Sequence, residues 1–345
     1  MSKLSVIISN RNDVAMLCVT VRSCIEEFRP LGKGGAELVI ADNSDNNIYQ
    51  LLKGALPTGY IREGTLHIVR QDFPCLFSAR ELAASKASGE YIFCLDSHML
   101  VGRDVFVQSV EFMDRHTEPD LGFGHPPISW AHQHESRAKH DREMAISELG
   151  PWGAAYKDER PITWKGMPWI CRRNWFLDNE NGLGGYGALS KHNVSWGGGD
   201  MHIGVKPWLL GFKNWAIPSN PCIHIGPFPK LDTPKGYPND VITTGQGAPG
   251  HERYRLYSSS GNYPHTFGFL VSCYVLGGEP MMQRNKAALQ QRFGRYLNIE
   301  QSWSDAIKIG QEERNWLLKR QKISFDDLVR TKPWNGNQAH SAQSR

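Results

Sequence analysis

Short apolar runs alternate with segments of helical periodicity through the first 115 residues, and this alternation restricts the fold more than any other feature of the sequence. The runs of strand length are LSVIIS (4–9), the apolar first part of AELVIADNSDNN (36–47), GTLHIV (64–69) and EYIFCLD (90–96). Runs that are apolar throughout are typical of parallel strands covered by helices on both faces. We therefore predict an α/β fold built on a doubly wound, mostly parallel sheet.

Helices are predicted between and after these strands. Apolar residues recur at helical spacing over 13–28, and a further helix is predicted at 103–116, after the fourth strand. The segment 78–88 carries a capping-box pattern, in which Ser78 is followed three residues later by Glu81. This pattern predicts that the helix begins at Ser78.

Polar side chains follow three of the predicted strands, at 9–13, 42–45 and 96–98. The carboxyl ends of parallel strands lie at one edge of a sheet, which is where α/β proteins bind ligands. If the fourth strand continues, Asp96 and His98 point to the same side and can form half of a metal site. A carboxylate together with an imidazole favours Mn²⁺ over Mg²⁺, because Mg²⁺ prefers oxygen ligands. The alternative is a helix-capping Asp96 beside a surface histidine.

Two further candidates lie downstream. His224 is embedded in the apolar run PCIHIGPF (221–228), and Asp200 follows the glycine-rich turn in SWGGGDMHIG (195–204). Each has a structural alternative, since a histidine in an apolar run is often a hydrogen-bonded core residue and an aspartate at a helix start is an ordinary cap. Glycines also let a backbone and a substrate approach closely, so a binding role stays open for this turn.

The order of these motifs resembles that of the GT-A glycosyltransferases, specifically family 2 and the related polypeptide N-acetylgalactosaminyltransferases. The matching elements are NRND after the first strand, ADNSDN after the second, the arginine in SARELAASKASGEYIF, and then DSH, WGGGD and IHIG. The Asp-x-His motif and the Trp-Gly-Gly turn followed by a histidine are the most specific of them. The resemblance covers about residues 4–230 and implies metal-dependent transfer of a sugar from a UDP-sugar to a hydroxyl acceptor.

The resemblance also implies a role for each matching residue. Asp96, His98 and His224 would hold Mn²⁺, with Mg²⁺ as the alternative, and the ion would bind the two phosphates of the donor. Asp42 would accept a hydrogen bond from uracil N3–H, and Arg80 would face the diphosphate from the first turn of its helix. Taken alone, Asp42 fits an Asx turn equally well, and an arginine such as Arg80 is more commonly a solvent-exposed helix residue. The other implied donor-binding residues are Ser9, Asn10, Arg11, Ser97, Gly166 and Trp196, and Trp196 would also contact the acceptor.

The chain departs from the family pattern at two places. Retaining members read Trp-Gly-Gly-Glu-Asn and inverting relatives read Gly-Glu-Asp, whereas this chain has Gly199 in place of the glutamate and keeps Asp200. Because inverting relatives use that aspartate as general base, Asp200 is the predicted base for the acceptor hydroxyl. A Gly-Gly pair that contacts the sugar in the family appears here as Gly166–Met167, so the donor sugar stays open.

We predict five segments along the chain of 345 residues. Residues 1–115 would form the nucleotide-sugar-binding half of the GT-A domain, and 116–230 the acceptor-binding and catalytic half. Residues 231–275, many of them Pro, Gly or Tyr, would form long loops with a lid function. Residues 276–330 would be a helical extension, and 331–345 a disordered tail.

Composition restricts the setting of the protein. Its seven cysteines form no C-x-x-C pair, which predicts reduced, buried thiols. No segment approaches the roughly 18 consecutive apolar residues of a membrane span, and the start of the chain lacks the pattern of a signal peptide. We therefore expect a soluble, cytoplasmic protein. A net charge of +4 allows a polyanionic partner without requiring one.

The acceptor and two non-enzymatic alternatives stay open. The resemblance favours a protein Ser/Thr hydroxyl, with a glycan or lipid precursor or a hydroxymethylated pyrimidine in bacterial-virus DNA as the alternatives. Basic and aromatic residues mix in HERYRLY (251–257) and RNWLLKRQ (314–321), which slightly favours nucleic acid. The non-enzymatic alternatives are a nucleotide- or glycan-binding module that lost catalysis with the glutamate, and a DNA-binding protein.

Overall fold

The computed structural model describes residues 2–32, 34–45, 47–56, 65–130, 167–194, 197–225, 263–293 and 299–331. The strands in these ranges are β1 (Leu4–Asn10), β2 (Ala36–Asp42), β3 (Leu66–Arg70), β4 (Tyr91–Asp96), β5 (Met99–Leu100), β6 (Leu121–His125), β7 (Ile128–Trp130), β8 (Trp169–Arg172), β9 (Lys213–Ala216) and β10 (Cys222–His224). The α-helices are α1 (Val14–Glu27), α2 (Ile48–Ala55), α3 (Leu76–Lys86), α4 (Val105–Arg115), α5 (Arg173–Leu177), α6 (Ala188–Lys191), α7 (Gly199–Leu209), α8 (Tyr263–Phe293), α9 (Ile299–Arg320) and α10 (Phe325–Thr331).

Seven strands form the central sheet in the order β3-β2-β1-β4-β8-β6-β9. β1 pairs in parallel with both β2 and β4, and β2 pairs in parallel with β3. β8 is antiparallel to both of its neighbours, β4 and β6. β1, β2 and β4 are almost completely buried, which is why their sequences are apolar throughout. The predicted α/β class with a mostly parallel sheet is therefore confirmed.

The two predicted halves of the domain share this sheet. β6, β8 and β9 come from the region 116–230 and extend the sheet that β1 to β4 begin. A second, three-stranded sheet has the order β5-β10-β7, in which β10 is antiparallel to β5 and parallel to β7. This small sheet connects the end of β4 to a strand that is more than a hundred residues away in the chain.

α3 begins earlier than predicted, and the predicted capping box is wrong. The helix starts at Leu76, and its N-cap residue is Cys75, whose Sγ accepts a hydrogen bond from the Ser78 amide at 3.5 Å. Glu81 does not turn back to the helix start, because it accepts a hydrogen bond from the amide of Tyr186. The local pattern fails because its glutamate has a partner that only the folded chain brings near.

α8 shows that the predicted boundary at 275/276 is wrong. The helix begins at Tyr263, within the range 231–275 that was expected to form loops, and its helical backbone is interrupted at Gly278. Residues 267–276 are all buried and almost all apolar. A helix that is apolar on every side has no polar face, so its sequence shows no helical periodicity. α9 and α10 lie within the predicted helical extension.

Within the described residues, no helix combines the length and the apolar character needed to cross a lipid bilayer. All seven cysteines are free thiols, six of them buried and Cys18 half-buried. The predicted loops at 231–262 and the predicted tail at 332–345 lie outside the described residues.

Candidate active site

The carboxyl ends of β1, β2 and β4 place polar side chains side by side at one edge of the central sheet. Across the parallel pairs, Ser9 is in register with Asp96, and Asn10 is in register with Asp42. Arg11 follows directly and is half-buried. The predicted grouping of these polar strand ends is confirmed, because buried parallel strands deliver them to a common edge.

A turn and the small sheet bring His98 and His224 to Asp96. The expected strand geometry is wrong, because β4 ends at Asp96 and the next two residues form a turn into β5. β10 pairs with β5 so that His224 is in register with Met99, and the Ile225 amide donates to the His98 carbonyl at 2.9 Å. Strand pairing thus sets two histidines that are distant in sequence against each other.

Asp96, His98 and His224 form a group that could hold one metal ion. Each offers one ligand atom, these atoms lie within 4.8 Å of one another, and no second group of this kind occurs in the described part of the chain. Nε2 of His224 lies 3.1 Å from Nε2 of His98 and 3.7 Å from Asp96 Oδ2. Asp96 does not cap the following helix, whose N-cap residue is Asp104. One carboxylate with two imidazoles fits Mn²⁺ better than Mg²⁺.

Arg80 is the buried counter-charge of Asp96. Its Nη2 donates to Asp96 Oδ1 at 2.9 Å, and its Nη1 donates to the hydroxyl of Tyr186 at 3.0 Å. Arg80 lies in the second turn of α3 and not in the first as predicted, because the helix begins earlier. Burial alone would raise the pKa of Asp96, but the charge of Arg80, followed by those of the two histidines, lowers it. The carboxylate is therefore ionised and suited to a cation.

Asp13 contacts the ring nitrogen of His98 that faces away from His224. Its Oδ2 lies 3.4 Å from His98 Nδ1, and Ser97 Oγ donates to the same oxygen at 3.2 Å. Burial alone would lower the pKa of His98, but its hydrogen bond with Asp13 and the charge of Asp96 raise it. Ser97 is occupied by this contact, and its role in donor binding stays a prediction.

Asp42 and Asn10 form a buried polar pair at the neighbouring strand ends. Asp42 Oδ1 accepts from Asn10 Nδ2 at 2.9 Å and from the Ser44 hydroxyl at 2.6 Å. Asn10 Oδ1 is buried and has no hydrogen-bond partner among the described residues. A cavity of about 840 Å³ opens between β3 and α2, and Asp42 and Arg70 are among its lining residues. This volume is in the range of small-molecule sites.

The glycine-rich turn before α7 has no space for side chains. Gly198 has a left-handed φ of 73°, and a Cβ on Gly199 would lie 2.2 Å from the ring of Phe77. The glutamate of the family pattern therefore does not fit at position 199 unless Phe77 moves. Trp196, just before this turn, and Gly166 lie outside the described residues, so their contacts with the donor stay predictions.

Asp200 lies in the first turn of α7. Burial alone would lower the pKa of Arg80, but its interactions with Tyr186, Cys94, Asp96 and Asp200 raise it. Asp200 and Asp96 thus both interact electrostatically with Arg80. This placement agrees with a residue that acts beside the metal group, although its role as a base stays a prediction.

We expect Gly199→Ala to lower the free energy of unfolding by about 1–3 kcal/mol, because the added methyl group overpacks the site. Phe77 cannot easily yield, since it is 1% exposed and packs on Tyr186 with the ring centroids 4.9 Å apart. Gly54→Ala in α2 is the matched control, because a Cβ there meets nothing within 4 Å, and alanine at such a helical position is neutral or stabilising. Urea unfolding followed by circular dichroism compares the two. A Gly199→Ala protein as stable as the wild type would contradict the tight contact.

Sequence reasoning missed three residues at or behind this site, namely Asp13, Tyr186 and Glu313. Asp13 belongs to the polar run NRND (10–13), and Tyr186 to the glycine-dense stretch 182–187. Both stretches are conspicuous in the sequence, but the sequence does not show which residues they contact. Glu313 carried no signal, because it is one of many charged residues on a long helix. Its importance follows only from its burial against α7.

Comparison with known proteins places this geometry in context. Residues 5–167 match the family described as Glycosyl transferase family 2. A search of curated proteins gives no match. S. aureus TarS 1–349 in complex with UDP-GlcNAc has a similar structure, with a TM-score of 0.54 and 13% sequence identity over 96% of this chain and 88% of that one. GalNAc-T7 with UDP, GalNAc and Mn²⁺ gives a TM-score of 0.52 and 16% identity over 95% and 58%. At these identities the likeness to the two structures concerns the fold.

Proposed function

We propose that the chain, whose residues 5–167 match the family 2 glycosyltransferases, is a GT-A glycosyltransferase that transfers a sugar from a UDP-sugar to a hydroxyl acceptor with the help of a divalent metal ion. The observation that carries the proposal is the meeting of Asp96, His98 and His224 at the sheet edge that also holds Asn10 and Asp42. The similar structures that contain UDP-GlcNAc, or UDP, GalNAc and Mn²⁺, support a UDP-sugar as donor.

Asp96, His98 and His224 would hold Mn²⁺, with Mg²⁺ as the alternative. The bound ion would supply positive charge to the donor diphosphate, on which negative charge develops as the bond to the sugar breaks. Arg80 keeps Asp96 ionised, and Asp13 contacts His98 Nδ1 so that Nε2 faces the other ligands. A carboxylate on the second nitrogen of a metal-binding imidazole fixes the orientation of the ring.

Asp42 and Asn10 would recognise the uracil base. Asp42 Oδ1 already accepts from Asn10 and Ser44. Among the described residues Oδ2 has only an ion-pair contact, at 3.6 Å from Arg70 Nη1, so Oδ2 is the oxygen that would accept from uracil N3–H. A carboxylate acceptor at this place disfavours cytosine, which has no N3–H to donate. The buried, unpartnered Asn10 Oδ1 offers a second acceptor. Ser9 and Arg11 would complete the nucleoside pocket.

Asp200 would act as general base. Its carboxylate would take the proton of the acceptor hydroxyl, the hydroxyl oxygen would form the new bond to the anomeric carbon, and UDP would leave with the electrons of the broken sugar–phosphate bond. This route inverts the anomeric centre, so the product's configuration, measured by NMR, tests it. A position in the first turn of a helix stabilises the ionised form of the base.

We favour a protein Ser/Thr hydroxyl as the acceptor, with hydroxymethylated pyrimidine in DNA or a glycan or lipid precursor as alternatives. Mass spectrometry of protein and DNA hydrolysates from cells with and without the expressed chain would identify the acceptor and the mass of the added sugar. A hexose or N-acetylhexosamine on Ser/Thr peptides is the expected result. A cytoplasmic location is part of the same proposal, and the free thiols agree with it.

Incubation of the protein with UDP-sugars and Mn²⁺ tests the enzymatic function. We expect slow release of UDP by hydrolysis, and a higher unfolding temperature with UDP plus Mn²⁺ than with either alone, because ligands of the native state stabilise it. A thermal shift without any UDP release would favour the non-catalytic binding module, which the loss of the glutamate at Gly199 suggests. Neither effect, together with steeply salt-dependent DNA binding, would favour the DNA-binding alternative.

A further inference from the structure

The Tyr186 hydroxyl contacts the guanidinium of Arg80, which pairs with Asp96. Tyr186 is fully buried, and its ring packs against Phe77 and Phe176 with centroid distances of 4.9 Å and 6.0 Å. Its hydroxyl accepts from Arg80 Nη1 at 3.0 Å, while Nη2 of the same guanidinium donates to Asp96 Oδ1 at 2.9 Å. One planar group thus joins a buried tyrosine to a proposed metal ligand.

Side chains from three helices hydrogen-bond to the backbone around Tyr186 and fix its position. Glu81 of α3 accepts a hydrogen bond from the Tyr186 amide. Lys206 of α7 donates to the Gly185 carbonyl at 2.7 Å. Glu313 of α9 accepts from the Ala188 amide at 2.6 Å. Tyr186 therefore lies where α3, α7 and α9 meet.

The group that joins α7 to α9 is charged and buried. Glu313 Oε1 lies 2.8 Å from Lys206 Nζ and 2.9 Å from His202 Nε2, and the two α7 side chains are completely shielded from solvent. Burial alone would raise the pKa of Glu313, but its contacts with His202 and Lys206 lower it to about 2. Such a group is costly to desolvate and tolerates little change in geometry. It holds the turn that carries Tyr186 in one position.

We infer that Tyr186 is a positioning residue for the metal ligand Asp96 and acts through Arg80, an inference that rests on the proposed metal site. The Asp96 carboxylate has two oxygens, of which Oδ1 accepts from Arg80 and Oδ2 lies 3.7 Å from His224 Nε2. The fixed guanidinium therefore determines which oxygen faces the histidines. Without the tyrosine hydroxyl, Arg80 loses one of its two anchors, and both Arg80 and Asp96 gain freedom to rotate.

Tyr186→Phe tests this inference through Mn²⁺ affinity, measured from the electron paramagnetic resonance signal of free Mn²⁺ in the presence of UDP. Removing a direct partner of a metal ligand typically weakens binding by about 10–100-fold. Because Tyr186 contacts Asp96 only through Arg80, we expect a loss at the lower end of this range, about tenfold. Tyr91→Phe is the matched control, because Tyr91 is 2% exposed and lies on β4, the strand that ends at Asp96. Tyr91 is at the opposite end of this strand, and its hydroxyl donates to Asp114 at 2.7 Å. This control should bind Mn²⁺ as the wild type does.

A structural role alone would lower the unfolding temperature of Tyr186→Phe and leave the Mn²⁺ affinity of the folded protein unchanged, which would overturn the inference. If the wild type itself fails to bind Mn²⁺ with UDP present, the proposed function fails, and the inference fails with it. Should Tyr186→Phe not fold, Arg80→Lys replaces it, because lysine keeps the charge but lacks the planar guanidinium that spans Tyr186 and Asp96. A tenfold loss in Arg80→Lys supports the link from Arg80 to Asp96 through which Tyr186 would act, and wild-type affinity contradicts the inference.

Discussion

His224→Ala should weaken Mn²⁺ binding in the presence of UDP by about 100-fold or more and leave the fold intact. The substitution removes one of three proposed ligands. Loss of a ligand should cost at least as much as loss of a residue that hydrogen-bonds to a ligand, for which the upper range is about 100-fold. Asp96 ends β4 and keeps its contact with Arg80, and His98 lies in the turn after β4 and keeps its contact with Asp13. Isothermal titration with Mn²⁺ and UDP measures the loss.

The control for this substitution is His116→Ala. His116 is the C-cap residue of α4, where its ring nitrogen lies 2.9 Å from the Phe112 carbonyl, and it takes no part in the group that could hold a metal. Circular dichroism should show the same secondary structure for both variants. Unchanged Mn²⁺ affinity in His224→Ala would remove His224 from the metal site and, with it, the main support for metal-dependent transfer.

Asp200→Asn should retain UDP binding and lose sugar transfer by about 100-fold to 10,000-fold, the usual contribution of a general base. Asparagine has nearly the same shape as aspartate but does not take up the acceptor proton. The metal ligands and the nucleoside pair lie on other elements, so KM for the donor should change far less than kcat. Initial rates with a saturating acceptor separate the two constants.

Glu312→Gln is a charge-matched control for Asp200→Asn, because it removes one carboxylate from an exposed ion pair with Lys191. This control should transfer sugar at the wild-type rate. Transfer at the normal rate by Asp200→Asn would show that another group, or the donor itself, takes the acceptor proton. The assignment of the chain as a glycosyltransferase would survive that result.

The parallel part of the sheet could be predicted because burial on both faces leaves a continuous apolar run. β1, β2 and β4 appear in the sequence as such runs, and their polar ends lie at one edge for a purely geometric reason. β3 is an edge strand and largely half-exposed, yet its apolar residues still marked it. The antiparallel β8 could not be predicted, because four residues carry no sign of the strand's direction.

The site could be predicted in its parts more easily than in its assembly. Asp96 and His98 were expected to share one side of a strand, whereas a turn brings them together. His224 reaches them through β5 and β10, strands of two and three residues that are too short to leave a periodic pattern. Without the resemblance to a family, no local feature would have connected these histidines.

The helical ends were mispredicted for reasons of tertiary structure. α3 starts before Ser78 because Cys75 caps it, and Glu81 is used elsewhere in the fold. α8 starts at Tyr263 because its first half is enclosed, with Ser272 donating to the Gly198 carbonyl at 3.1 Å. Tyr186, the partner of Glu81, and Gly198, the partner of Ser272, each lie more than 70 residues away in the chain.

The single carboxylate of Glu313 contacts two side chains of α7, His202 and Lys206, neither of which is accessible to water. Replacing Glu313 alone leaves His202 and Lys206 buried without their shared carboxylate, which destabilises the native state far more than replacing all three together by apolar residues. We therefore expect these three residues to be substituted together, and not one at a time, during evolution. Positions more than a hundred residues apart in the chain would then covary.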